Sequence, residues 1–140
     1  MTTLGGGSRG VKKVLIVDDD VSIVAVLRDA FGLFRHEHAY TVETACDGAE
    51  GLAALQREPF DLLLLDMNMP RMSGLELLTE MRRGGLQTPV LMLTGNEDNR
   101  SAAAALAAGI FAYVPKPFDL QHLEMLISLA ASPRSAAAIA

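Results

Sequence analysis

Four short apolar runs in this 140-residue chain lead straight into side chains capable of chemistry. Residues 14–17 (VLIV) precede Asp18, Asp19 and Asp20, residues 62–65 (LLLL) precede Asp66, residues 90–93 (VLML) precede Thr94, and residues 110–114 (IFAYV) precede Pro115, Lys116 and Pro117. If these runs are strands of one parallel sheet, the groups collect along a single edge, because the carboxyl ends of parallel strands share one side. Taken singly, most have a plain structural reading. Asp20 is placed to cap the helix that follows it, Thr94 can bond backbone at a sheet end, and a lone Lys116 can simply face water. Asp66 does not fit that pattern, since the next helix starts at Ser73 or Gly74, too far along for Asp66 to cap it.

Convergence of Asp18, Asp19 and Asp66 places like charges about 5 Å apart, repelling by roughly 3 kcal/mol per pair at an effective dielectric near ~20. A proton on one carboxylate relieves this by raising its pKa, and a divalent cation relieves it with all three ionised. An all-oxygen donor set with no nearby Cys/His group suits Mg²⁺, with Mn²⁺ as a substitute. Lys116 adds a positive point charge, and Thr94 a hydroxyl that can donate to a phosphoryl oxygen. Together these groups describe a place where a carboxylate attacks phosphorus and becomes an acyl phosphate.

The elements that must position them follow from hydrophobic period. The near-continuous apolar runs predict strands buried on both faces. Residues 40–45 (YTVETA) alternate and carry Glu43, which predicts a strand near the sheet edge. Five helices are predicted between and after the strands. Ile23, Val24, Leu27, Phe31 and Phe34 share one face of the first. Asp47-Gly48 opens the second, with Ala49, Leu52 and Ala53 inward and an end before Pro59. Ser73-Gly74 begins the third, with Leu75, Leu78 and Met81 inward, and Gly84-Gly85 stops it. The fourth runs from about Glu97 to Ala108, is dominated by alanine, and is capped by Gly109. Leu120, Leu123, Leu126, Ile127 and Ala130 define the fifth. Strand-helix alternation of this kind gives a doubly wound α/β sandwich, and the flavodoxin-like strand order 2-1-3-4-5 is common at this size.

Composition sets the outer limits. The formal net charge of -5 argues against direct nucleic-acid binding, which usually needs a basic surface. Apart from alanine tracts, apolar stretches are four or five residues long, so no membrane insertion is expected. A single cysteine, Cys46, excludes an internal disulfide framework and fits a reducing compartment. A cytoplasmic location is expected. Residues 1–10 read as a flexible lead, 11–131 as the folded domain, and 132–140 as a tail or the start of a linker.

The stretches "VLIVDDD", "LLLLDMNMP" with a following "SG", "LMLTG" and "YVPKPF" resemble, in order and at the usual separations, the signatures of the receiver domain of two-component response regulators, of the chemotaxis type. The resemblance implies that Asp66 accepts a phosphoryl group from a phosphohistidine on a sensor histidine kinase or a histidine phosphotransfer protein. It implies Asp19 as a direct Mg²⁺ ligand, Asp18 acting largely through a bound water, and Asn68 offering its backbone carbonyl. It further implies that Lys116 pairs with Asp66 and then with the phosphate, that the Lys116–Pro117 bond is cis, and that Thr94 and Tyr113 move with phosphorylation. The surface of the fourth helix, fifth strand and fifth helix would then change for an output partner the sequence does not name. Only self-phosphorylation and auto-dephosphorylation would count as enzymatic. A monomer or a weak phosphorylation-linked dimer is expected. Asp20 stands where the family often has glutamate, and Gly95 where alanine is more usual; Asn68 and Asn96 occupy positions that influence hydrolysis of the acyl phosphate.

Two other functions share part of this chemistry. A relay intermediate would pass the phosphoryl group on to another histidine. A haloacid-dehalogenase-type phosphatase would use Asp18 and Asp20 at the first strand, but its signature fits imperfectly and there is no room for a substrate-selecting cap. His36 and His38 read as solvated side chains, and Arg82-Arg83 as a solvated helix end.

Overall fold

The computed structural model describes residues 11–34, 39–95 and 99–132. The expectations for the lead, His36, His38, Asn96, the helix start at Glu97 and the tail beyond Ser132 lie outside them. Among the described residues the order is β1 (Lys12–Val17), α1 (Val21–Leu33), β2 (Tyr40–Ala45), α2 (Gly48–Arg57), β3 (Leu62–Asp66), α3 (Gly74–Arg83), β4 (Val90–Thr94), α4 (Asn99–Ala107), β5 (Ala112–Pro115) and α5 (Leu120–Ala130). The sheet is parallel throughout, with order β2-β1-β3-β4-β5. This is the flavodoxin-like doubly wound architecture expected from the alternation.

Period-two alternation divides the core in two. Leu15, Val17, Leu63, Leu65, Val90 and Met92 face α2, α3 and Ala105 of α4. Val14, Ile16, Leu62, Leu64, Leu91, Leu93 and Val114 face α1 and α5 through Leu27, Phe31, Leu123 and Ile127. Burial on both sides explains why these runs contain no polar residue until they reach the carboxyl edge of the sheet. The polar-bearing β2 pairs only with β1 and so forms an edge. The last strand begins at Ala112, two residues later than the apolar run suggests, because Ile110 lies in the preceding turn while still being buried.

Helix starts are set by side-chain caps. Asp20 accepts from the Ser22 and Ile23 amides, Asp47 from Glu50, and Asp119 from Gln121 and His122. Ser73 and Glu76 form a capping box on α3, which satisfies two donors that would otherwise be orphaned.

Two inward stripes differ from expectation. Ala49 and Ala53 face solvent, and α2 instead buries Gly48, Gly51, Ala54 and Leu55. Close approach decides this: a Cβ at Gly48 would lie 2.8 Å from the Met72 side chain, and one at Gly51 would lie 2.8 Å from Val17 Cγ2. The helix seats through its glycines because a side chain at Gly51 would meet the sheet at Val17 and one at Gly48 would meet Met72 in the β3–α3 connection. Leu120 is the second exception. It sits in the first turn of α5, directly after the Asp119 cap, and is 44% exposed, while the stripe that packs starts at Leu123.

Candidate functional site

Strand register brings the acidic residues together. Val17 is aligned with Leu65 in the β1–β3 pair, so Asp18 and Asp66 leave adjacent strands side by side. Asp66 is aligned with Leu93, and Thr94 with Pro115, so Thr94 and Lys116 continue the same edge across β4 and β5. The Lys116 amide donates to the Thr94 carbonyl at 2.7 Å, and the Lys116–Pro117 peptide is cis.

One carboxylate oxygen from each of Asp18, Asp19 and Asp66 lies within 4.8 Å of the others. Asp18 is 1% exposed and Asp66 5%, whereas Asp19 is open to solvent. Lys116 Nζ lies 3.1 Å from Asp66 Oδ1 and 3.6 Å from Asp18 Oδ2. The Asn68 amide donates to Asp66 Oδ1 at 3.3 Å, which anchors the start of the β3–α3 loop to the same carboxylate. Asp18 Oδ1 accepts from the Asp20 amide, but the buried Oδ2 has no hydrogen-bond partner. A buried carboxylate oxygen that makes no hydrogen bond and has the Lys116 ammonium at 3.6 Å, beside two further carboxylates, fits a hard cation with its coordinated water. Oxygen-only donors point to a Mg²⁺-like ion rather than zinc.

The Asp18 pKa is raised to about 6: burial pushes it up most, the Asp20 amide pulls it down, the Asp66 charge adds to the rise, and Lys116 opposes it. For Lys116, burial lowers the pKa, but the facing charges of Asp18 and Asp66 outweigh it and the net direction is up. The lysine is therefore charged across the neutral range. Its contribution to stability is lost only as the pH rises beyond the ordinary lysine value of 10.5.

Replacing Lys116 with methionine leaves two buried carboxylates facing each other without a cation. In metal-free protein at about pH 7.5 the expected loss is about 2 kcal/mol, below the full cost of breaking a buried pair because Lys116 is partly solvated. At about pH 5 the loss shrinks, because Asp18 then takes up a proton instead. Urea denaturation at the two pH values checks this, and equal losses at both would contradict it.

The remaining expected residues are spread around this centre. Asp20 is exposed and serves as the α1 cap while bonding Asp18 through its amide. Thr94 is half-buried at the end of β4, and Gly95 beside it is exposed. Tyr113 is half-buried in β5, and its hydroxyl donates to the Ala102 carbonyl of α4. It thus belongs partly to the core and partly to a contact with α4.

Two residues were not singled out for what they do. Gly74 opens α3 against the back of Asp66: a Cβ there would lie 2.2 Å from the Asp66 carbonyl oxygen. Only the "SG" after the proline loop hinted at it. Arg82, expected to be solvated, is instead half-buried and donates to the carbonyls of Leu86, Thr88, Ala108 and Gly109. Its position in the last turn of α3 suggested the helix dipole, but the contacts depend on two turns that sequence does not place. Arg83 next to it is exposed and pairs with Glu80.

The family model described as the response regulator receiver domain matches residues 14–128. Among curated relatives, the response regulator MprA of Mycobacterium ulcerans (strain Agy99) is 39% identical over 111 residues, 79% of this chain and 46% of that protein. The response regulator protein PmrA of Pseudomonas aeruginosa is 38% identical over 112 residues, 80% of this chain and 49% of that protein. The chain spans about half the length of the curated relatives it matches. Among solved structures, the chemotaxis protein CheY4 of Vibrio cholerae superposes with a TM-score of 0.75 at 34% identity, covering 84% of this chain and 97% of that one. A CheY-like receiver domain protein from Methanospirillum hungatei gives a TM-score of 0.79 at 32% identity, covering 86% and 94%.

Proposed function

Because the chain belongs to the response regulator receiver family of two-component signalling, we propose that residues 11–131 form a switch in which Asp66 is the phosphoacceptor. The receiver is a regulatory domain rather than a typical enzyme. The observation that carries the proposal is the buried Asp66 carboxylate, 3.1 Å from Lys116 Nζ and beside the buried Asp18 oxygen that makes no hydrogen bond.

In this reading an Asp66 carboxylate oxygen forms the new bond to phosphorus as the N–P bond of a donor phosphohistidine breaks, and the imidazole leaves. The donor is a sensor histidine kinase or a histidine phosphotransfer protein. Asp18, Asp19, Asp66 and the backbone carbonyl of Asn68 would hold Mg²⁺, which offsets charge on the phosphoryl oxygens when bound. Lys116, already paired with Asp66 Oδ1, neutralises one phosphoryl oxygen. Thr94 donates its hydroxyl to another, and Tyr113 shifts with it. The charge and acceptor oxygens of the phosphate favour the arrangement in which these groups have closed in. The face of α4, β5 and α5 then presents a changed surface to an output partner. No described helix is long and apolar enough to cross a membrane, and we place the switch in the cytoplasm.

Asp18 links this reading to pH. Its folded-state pKa of about 6 lies above the ordinary 3.8, so its contribution to metal-free stability is complete below the ordinary value and is lost as the pH rises through about 6. The metal needs the ionised form. Mg²⁺ affinity should thus be nearly flat above neutrality and weaken by up to about tenfold per pH unit below the Asp18 pKa. Calorimetric titration across that range tests it, and an affinity unchanged down to about pH 5 would refute it.

The phosphoacceptor role is tested by beryllofluoride, a phosphoryl mimic, followed by fluorine NMR. A bound signal that requires both Mg²⁺ and Asp66 is expected. A bound signal that persists in Asp66→Ala would place the site elsewhere.

A further inference from the structure

Among its described side chains, helix α4 contributes little apolar surface to the core. Of its residues with described side chains, Ala105 is fully buried and Ala102 half-buried, while Arg100, Ala103, Ala104, Leu106 and Ala107 are exposed. Alanine supplies helix propensity but little packing area. Polar contacts from outside the helix therefore matter more here than elsewhere. The Tyr113 hydroxyl bonds the Ala102 carbonyl in the first half of the helix. At the other end, Arg82 Nη2 donates to the Gly109 carbonyl at 2.9 Å and Nε to the Ala108 carbonyl at 3.4 Å. The same guanidinium donates through Nη1 to the carbonyls of Leu86 at 2.9 Å and Thr88 at 3.0 Å.

Arg82 has no carboxylate partner among the described residues, so its charge is spent on main-chain carbonyls. Two of these belong to the connection between α3 and β4, and two to the turn that ends α4. A rigid, planar donor fork suits such multiple fixing, and a positive charge is favourable at a helix C-terminus. The turn itself is closed by the Gly109 amide on the Leu106 carbonyl, with Gly109 at φ 89.

We propose that Arg82 is a positioning residue that pins the C-terminal turn of α4 to the α3–β4 connection, so that α4 responds to the acidic site by pivoting about that turn. The Tyr113 contact is the releasable one. It lies on the strand that leads to Lys116, whereas Arg82 reaches α4 from α3 without touching the site residues. The pivot's direction of response rests on the phosphoacceptor reading above, but its existence does not.

Residue-resolved amide exchange by NMR separates the two. In resting protein, Arg82→Gln should ease opening of the turn in which the Ala108 and Gly109 amides bond the Ala104, Ala105 and Leu106 carbonyls, and accelerate their exchange by about tenfold, the factor for losing one charge-assisted hydrogen bond on that turn, relative to α5 amides in the same sample. Tyr113→Phe should accelerate exchange in the first half of α4 and leave Ala108 and Gly109 unchanged. Adding beryllofluoride and Mg²⁺ to wild type should shift the first half of the helix and spare the pinned turn. Uniform acceleration along α4 in Tyr113→Phe, or unchanged Ala108 and Gly109 in Arg82→Gln, overturns the pivot. If Arg82→Gln does not fold, Tyr113→Phe alone decides between pivot and whole-helix motion. A failure to bind beryllofluoride would count against the phosphoacceptor reading, and the resting exchange pattern would still decide the pivot.

Discussion

Gly74→Ala is expected to destabilise the protein by about 3 kcal/mol, at the upper end of what overpacking costs, because the added methyl has nowhere to go. The Cβ would meet the Asp66 carbonyl oxygen at 2.2 Å and the Asp66 carbonyl carbon and Met67 Cα at 2.9 Å. All three are backbone atoms, so no rotamer change relieves the clash. The Gly74 amide also donates to the Met67 carbonyl at 2.9 Å, which ties the start of α3 to the end of β3. Relief must come from moving α3 outward or Asp66 inward. Either movement displaces the carboxylate, and a displacement near 1 Å at a reacting group costs on the order of a hundredfold in rate. Urea denaturation and phosphoryl uptake should therefore both suffer. Gly32→Ala provides the control: nothing lies within 4 Å of a Cβ there, and in the last turn of α1 the change should be neutral or stabilising by up to about 1 kcal/mol. A Gly74→Ala protein as stable as Gly32→Ala would show that the close approach does not constrain Asp66.

Asp66→Asn is expected to abolish phosphoryl uptake while the fold persists. The amide matches the carboxylate in shape, and its oxygen can still accept from the Asn68 amide and Lys116, but it is no longer an anionic nucleophile. The charge change has a second consequence. Asp66 is one of the groups that raise the Asp18 pKa, after burial, so the Asp18 titration should move down in the variant. Mg²⁺ affinity should weaken by about tenfold or more with one carboxylate fewer. A downward movement of the Asp18 titration, read by carbon-detected NMR, distinguishes a local loss of charge from a collapsed site.

Much of this was legible in the sequence because it depends on short-range pattern. The runs at residues 14–17, 62–65 and 90–93 are fully buried, as near-continuous apolar strands of a sheet covered on both faces should be. The alternation of residues 40–45 and Glu43 marked β2 as lying near an edge. The polar residues that end the runs lie along one side because parallel register leaves them no alternative.

The features that escaped depend on how far apart backbones sit. Gly48 and Gly51 look like weak points in a helix until α2 is seen against Met72 and Val17, so larger neighbours were assigned inward. Gly74 looks like part of a turn until its distance to Asp66 is known. Arg82 looks like an ordinary C-terminal cation, since the four carbonyls it meets come from turns whose geometry no local pattern specifies. Tyr113 packs against the core and bonds Ala102 of α4, a partner that spacing along the chain does not specify.

The most direct test of the central claim is the intact mass of the protein after incubation with acetyl phosphate, with and without Mg²⁺, alongside Asp66→Asn. The account predicts that wild type alone gains one hydroxylamine-labile phosphoryl group, only when Mg²⁺ is present, and that peptide mapping places it on Asp66. Equal uptake by Asp66→Asn, or uptake on another residue, would contradict it.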